Sequence, residues 1–130
     1  YGNGKNIRDW IFVEDHVDAI YKIAISRYSK KTFLIGGDNE VSNNKLVEKV
    51  CNIFDKINRT KDSRLLIEYV KDRPGHDLRY AINNNDIKKK INWRPKKNFE
   101  QGLRKTIKFF LKNNKNLKDI FYDIWSKKCL

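Results

Sequence analysis

Long amphipathic stripes at helical spacing alternate along this chain with strand-like runs of only a few residues. Leu46, Val47, Val50, Phe54 and Ile57 fall on one face of a 3.6-residue period, and Phe99, Leu103, Ile107, Phe110 and Leu111 on another. Leu117, Ile120, Phe121, Ile124 and Trp125 repeat the pattern near the C-terminus. The strand candidates are Ile7 to Val13, Thr32 to Ile35, Leu65 to Val70 and Tyr80 to Ile82, each rich in β-branched or aromatic residues. The first leads into a helix from Glu14 to Tyr28, with acids in its first turn, where the helix dipole favours them. Its apolar stripe is Val17, Ile20 and Ala24, with Ile23 alongside. Gly36-Gly37 stops the second strand, and Ser42 is a natural N-cap for the helix that follows. Ile87 and Ile91 mark a short helix ahead of Trp93 and Pro95. A sheet made of such strands must be small, and the helices must bury their stripes on it or on each other. The expected class is α/β, short strands with several amphipathic helices, more like an accessory domain than a self-sufficient catalytic one.

The chain has 130 residues, room for one ordinary domain and too little for a two-domain enzyme. Hydrophobic residues make up 39% of it, so a core is available and global disorder is excluded. Cys51 and Cys129 are too few for a disulfide framework or a four-cysteine zinc site. They suit a reducing compartment, with Cys51 as a small core residue. No apolar run approaches the roughly 20 residues of a membrane span. Tyr1-Gly2-Asn3-Gly4-Lys5-Asn6 is turn chemistry at the very start, and we expect a fragment whose N-terminal part is missing. The net charge of +13 suits a nucleic-acid binder. It suits a solvated surface better, because the Lys and Asn residues are scattered along the whole chain.

Several catalytic signatures are absent from the sequence. Gly2-Asn3-Gly4 lacks a third glycine and leads into a strand, so it is no dinucleotide fingerprint. There is no P-loop and no His-Glu-x-x-His. His16 and His76 lie far apart without metal-ligand company, and neither cysteine has an activating partner. Two clusters remain: Asn6-Ile7-Arg8-Asp9-Trp10, and Lys71-Asp72-Arg73-Pro74-Gly75-His76-Asp77-Leu78-Arg79-Tyr80. The second gathers cations, a histidine and two aspartates around a Pro-Gly turn. Arginine offers a bidentate fork to phosphate oxygens, so the loop suits anion recognition; by composition alone the favoured reading is a surface loop of local Asp–Arg pairs, which are common and individually weak. Arg8 has the same alternative, a pair with Asp9 or a nearby Glu.

These clusters carry a resemblance. Residues Tyr1 to His16 resemble the middle of dTDP-glucose 4,6-dehydratases, which are extended short-chain dehydrogenase/reductase (SDR) enzymes acting on nucleotide sugars. Ile35-Gly36-Gly37-Asp38-Asn39-Glu40 with Ser42-Asn43 resembles the next segment. Asp72-Arg73-Pro74-Gly75-His76-Asp77 with Arg79-Tyr80-Ala81-Ile82 resembles the family's distinctive C-terminal motif. Trp93-Arg94-Pro95 and Phe99-Glu100-Gln101-Gly102-Leu103 are similar to its closing pattern. The likeness runs through residues 1–112, which it marks as the C-terminal nucleotide-sugar-binding part of a Rossmann-type SDR enzyme. Residues 113–130 are expected to be a C-terminal helical tail without an assignment.

The resemblance implies that NAD, the Tyr-x-x-x-Lys pair and the acid/base residues belong to a missing N-terminal domain. This chain then holds no catalytic residue and is inactive alone. It implies substrate contacts for Tyr1 (beside the thymine base), Arg8 (diphosphate), Asn43 (phosphate), Arg73 (diphosphate) and His76 (nucleotide pocket). The implied activity is NAD-dependent dehydration of dTDP-glucose to dTDP-4-keto-6-deoxyglucose by a cytoplasmic enzyme, homodimeric at full length, without nucleic-acid or membrane partners. The alternatives are another nucleotide-sugar epimerase or decarboxylase, against which the Asp72–Asp77 loop argues, or a basic nucleic-acid-binding module.

Overall fold

A computed structural model describes residues 1–113. The tail stripe from Leu117 to Trp125, and Cys129, lie outside the described residues. Strand β1 (Ile7–Asp9) pairs antiparallel with β2 (Glu40–Ser42), with Arg8 opposite Val41. Helices α1 (Val13–Ala24), α2 (Asn43–Asn58), α3 (Asn85–Lys90) and α4 (Phe99–Lys112) complete the regular elements, with a 3-10 turn at Ser63–Leu66. The small α/β unit with several amphipathic helices is thus borne out.

Local hydrogen bonding decides where these elements begin and end. β1 stops at Asp9, short of the expected Val13, because Phe12 is already the extended residue that precedes α1. α1 ends at Ala24 rather than Tyr28. The Ser26 hydroxyl donates to the Ile23 carbonyl at 2.8 Å and accepts the Tyr28 amide at 3.0 Å, a local turn that competes with the helix. Ser42 caps α2 as expected, its hydroxyl accepting the Lys45 amide at 3.4 Å. Asn98 and Gln101 close a capping box on α4, reciprocally satisfying two backbone donors.

Three of the four expected strands are absent. Thr32 to Ile35 is extended without a ladder partner among the described residues, although Phe33 and Ile35 pack against the core. Leu65 and Leu66 lie in the 3-10 turn and are 84% and 82% exposed. Asp55 imposes that turn by accepting the Ser63 amide at 3.2 Å and the Thr60 hydroxyl at 2.8 Å. Tyr80 to Ile82 forms no named strand, but its neighbour Arg79 makes one parallel bridge to Ile7.

The core is Ala19, Ile87 and Trp93, flanked by Ile11, Ile23, Phe33, Ile35 and Ile91. Trp93 is the largest fully buried side chain, and its indole N–H donates to Asp18 at 3.0 Å. This packing turns α1 away from the orientation its apolar stripe suggests. Asp15 and Ala19 face inward, while Val17 and Ile20, expected in the core, are 58% and 50% exposed and Ala24 is exposed too. The reason is steric and polar together. The broad indole needs a residue as small as Ala19 beneath it and an acceptor beside it, and Asp18 supplies the acceptor. Cys51 is buried, as its position on the α2 face predicts.

Candidate functional site

The site is built where the polar loop folds against β1. The Ile7 amide donates to the Leu78 carbonyl at 2.8 Å, and the Tyr80 amide returns to the Ile7 carbonyl at 3.1 Å. The loop therefore runs beside β1 as a short parallel addition, and Arg8 and Arg73 come from segments far apart in sequence. Asn6, only 5% exposed, locks the arrangement. Its side chain donates to the Asp77 carbonyl at 3.1 Å, and its own carbonyl accepts the Asn43 amide at 3.0 Å. One buried amide thus fastens the N-terminus of α2 to the loop.

Arg8 projects from β1 across this junction. It donates to the Ile7 carbonyl at 2.7 Å and to the Asp77 carbonyl at 3.0 Å, and its guanidinium lies 4.6 Å from the centre of the Tyr80 ring. The Tyr80 phenol is bonded to the Asp77 carboxylate, which pushes its pKa above the ordinary tyrosine value; Arg8 and Arg73 pull in the opposite direction. Among the described residues, neither Arg8 nor Arg73 is ion-paired with a carboxylate, so the Arg8–Asp9 pairing alternative falls. Asp9 is occupied elsewhere, accepting the Gly37 amide at 3.1 Å and the Asn39 amide at 2.8 Å. That explains an aspartate inside a strand.

His76 and Asp72 form a separate clasp at 2.7 Å, and Asp72 also accepts the Arg73 amide at 2.9 Å. Gly2 makes room for it. Its φ is +57°, and a Cβ there would stand 2.8 Å from the Asp72 carboxyl carbon. Tyr1 and Asn43 line a small pocket of about 100 Å³ with Val47, Ile67 and Tyr69, and Tyr1 is 68% exposed. The five expected residues therefore fall at three neighbouring places: Tyr1 with Asn43, Arg8 on Asp77 and Tyr80, and His76 on Asp72 with Arg73 beside that clasp. Asn6 links the first to the second, and the Gly2–Asp72 approach links the first to the third. Sequence reasoning missed Asn6 and set Tyr80 aside as scaffolding, because both act through partners more than 70 residues away.

A larger cleft of about 730 Å³ opens between the start of α1, α2 and α4. Ile11, Phe12, Leu46, Val50, Phe99 and Phe110 give it hydrocarbon walls. Lys105 at its edge is already held by Glu14 at 3.3 Å. This cleft is larger than the Tyr1–Asn43 pocket, but its hydrocarbon walls offer an anion no grip, whereas the polar junction carries cationic side chains. A dinucleotide cradle is not present among the described residues. Gly2 and Gly4 lead into β1, and Gly36-Gly37 leads to β2, so no Gly-rich turn opens a helix. Among the described residues there is also no cluster of His, Cys, Asp and Glu that could hold a metal ion, and no helix long and apolar enough to cross a membrane.

A family model for GDP-mannose 4,6 dehydratase matches residues 1–106. The chain belongs to the GDP-mannose 4,6 dehydratase family. Within that family, dTDP-glucose 4,6-dehydratase 1 of Escherichia coli (strain K12) is 43% identical over 129 residues, covering 96% of this chain and 36% of that one. The likeness therefore extends past residue 112, where the recognisable motifs stop. The crystal structure of dTDP-glucose 4,6-dehydratase from Bacillus anthracis str. Ames in complex with NAD is 40% identical, with a TM-score of 0.73 over 88% of this chain and 34% of that one. The Streptomyces venezuelae dTDP-glucose 4,6-dehydratase, solved with NAD and TYD bound, is 29% identical with the same TM-score over 87% of this chain and 33% of that one. The chain thus spans about a third of the length of the dehydratases it matches. The resemblance to dTDP-glucose 4,6-dehydratases, and the extended SDR fold class it implied, are borne out.

Proposed function

We propose that residues 1–112 are the nucleotide-diphosphate-binding part of a cytoplasmic, homodimeric dTDP-glucose 4,6-dehydratase whose hydride and proton transfers take place on chain outside this sequence. The observation that carries this reading is the Arg8 guanidinium, held by the Ile7 and Asp77 carbonyls and the Tyr80 ring against the loop that carries Arg73, with no carboxylate partner for either arginine among the described residues. Two cations from separate segments suit a diphosphate that must be gripped from more than one side. Tyr1 and Asn43, across the Asn6 link, suit the base and a phosphate oxygen, and His76 borders the same loop. The chain's contribution is a remote handle. Binding energy taken from the nucleotide fixes the reacting sugar in place, which lowers the entropic part of the barrier without any group here touching the reaction. The dehydratases of known structure carry NAD. In this reading NAD sits on the remainder of the enzyme, because the glycines of this chain do not form its cradle.

The test is calorimetric titration of the 130-residue chain with thymidine diphosphate. Binding is expected, together with no turnover of dTDP-glucose when NAD is added. Arg73→Ala should weaken binding by about 1.5–3 kcal/mol, and Arg73→Lys should recover only part of that because the fork is lost. Turnover by the isolated chain, or full affinity in Arg73→Ala, contradicts the assignment.

A further inference from the structure

Tyr80 stands outside the proposed nucleotide contacts, yet it closes a circuit around Arg8. The Ile7 carbonyl accepts both the Tyr80 amide, at 3.1 Å, and an Arg8 guanidinium N–H, at 2.7 Å. The Asp77 carbonyl accepts another Arg8 N–H at 3.0 Å, while the Asp77 carboxylate takes the Tyr80 phenol. The ring faces the guanidinium at 4.6 Å, inside the range of cation–π attraction. An arginine on a partly exposed strand ordinarily samples many rotamers, and its planar fork is useful only in one orientation. Here two carbonyls and an aromatic face fix that orientation, and further N–H donors of the fork are left for a ligand.

We propose that Tyr80 is a positioning residue: its ring presents the Arg8 fork to a bound diphosphate, and Asp77 fixes the ring. This rests on the nucleotide-binding reading above. It requires the aromatic face rather than mere bulk, so phenylalanine and leucine separate it from a simple packing role. The raised phenol pKa agrees with a ring held by Asp77.

The experiment combines titration with thymidine diphosphate and NMR of the Arg8 side chain in the full 130-residue chain. Tyr80→Phe should retain most of the affinity. Tyr80→Leu should weaken it about fivefold, the scale of one cation–π contact. In an Arg8→Ala background the same leucine should cost nothing further. The Arg8 side-chain protons should show a ring-current shift that Tyr80→Phe keeps and Tyr80→Leu abolishes, while far-UV circular dichroism stays native. Unweakened binding by Tyr80→Leu, or an equal loss with and without Arg8, overturns the proposal. If the unmodified chain does not bind thymidine diphosphate, the nucleotide-binding reading fails. The NMR comparison then decides the hold of Tyr80 on Arg8 independently: a shift lost with leucine upholds it, and a shift unchanged with leucine refutes it.

Discussion

Asp72 accepts two hydrogen bonds within the polar loop, from the His76 ring at 2.7 Å and from the Arg73 amide at 2.9 Å. The His76 bond is the largest influence holding its carboxyl below the ordinary aspartate range, with the Arg73 amide adding to it. The sign follows from linkage. A carboxyl with a lowered pKa in the folded chain stabilises that chain above the ordinary aspartate pKa, and the contribution fades as pH falls through the lowered value. Carbon-detected NMR titration should find Asp72 ionised below the usual range, and His76→Ala should move its midpoint upward. An unchanged midpoint in that variant would mean the clasp is not formed in solution. At this scale the sequence was informative about charge and silent about partners. Arg8 and Arg73 stood out because a cation in an apolar strand, or beside a Pro-Gly turn, invites an explanation. Asn6 and Tyr80 did not, because nothing local in sequence marks a side chain whose partner is 70 residues away.

For the helices, the apolar period located each segment well but oriented one of them wrongly. α2 begins where Ser42 predicts, since a cap is a short-range hydrogen bond legible in a few residues, and Asn98 starts α4 by the same means. α1 carries apolar residues on more than one side, and which side is buried depends on Trp93, which lies far along the chain. The strands suffered most. Glu40–Ser42 pairs with β1 although its first residue is acidic, because Arg79 meets Glu40 in a two-point ion pair at 2.7 and 2.9 Å. The two faces of α1 lead to an unequal pair of mutational costs. Trp93→Ala should lose about 3–5 kcal/mol in urea unfolding, the range for deleting a buried aromatic side chain. Val17→Ala, on the exposed stripe, should stay within about 0.5 kcal/mol of the parent. Similar costs for the two would show that α1 is rolled the other way in solution.

For the molecule as a whole, the exposed face of α1 is the prominent feature. Val13, Val17, Ile20 and Tyr21 are all at least half exposed, as is Ile25 just beyond the helix, and Leu34 is 57% exposed. Val13 opens this face, whereas Ile7 and Ile11 just before it are half-buried. Contiguous apolar surface of this kind is unusual on a soluble monomer. The isolated chain should therefore bind an environment-sensitive apolar dye and sediment heavier as its concentration rises; a monodisperse, dye-free monomer would contradict this. The parallel bridge between Ile7 and Arg79 has a different consequence. Its two halves meet only after the chain has closed a loop of some seventy residues, an entropic cost met before any local contact repays it. A ligand that spans Arg8 and Arg73 would therefore act as a reversible staple across that loop. Its affinity and the resistance of the chain to unfolding would be one free energy viewed from two directions, each rising with the other by mass action.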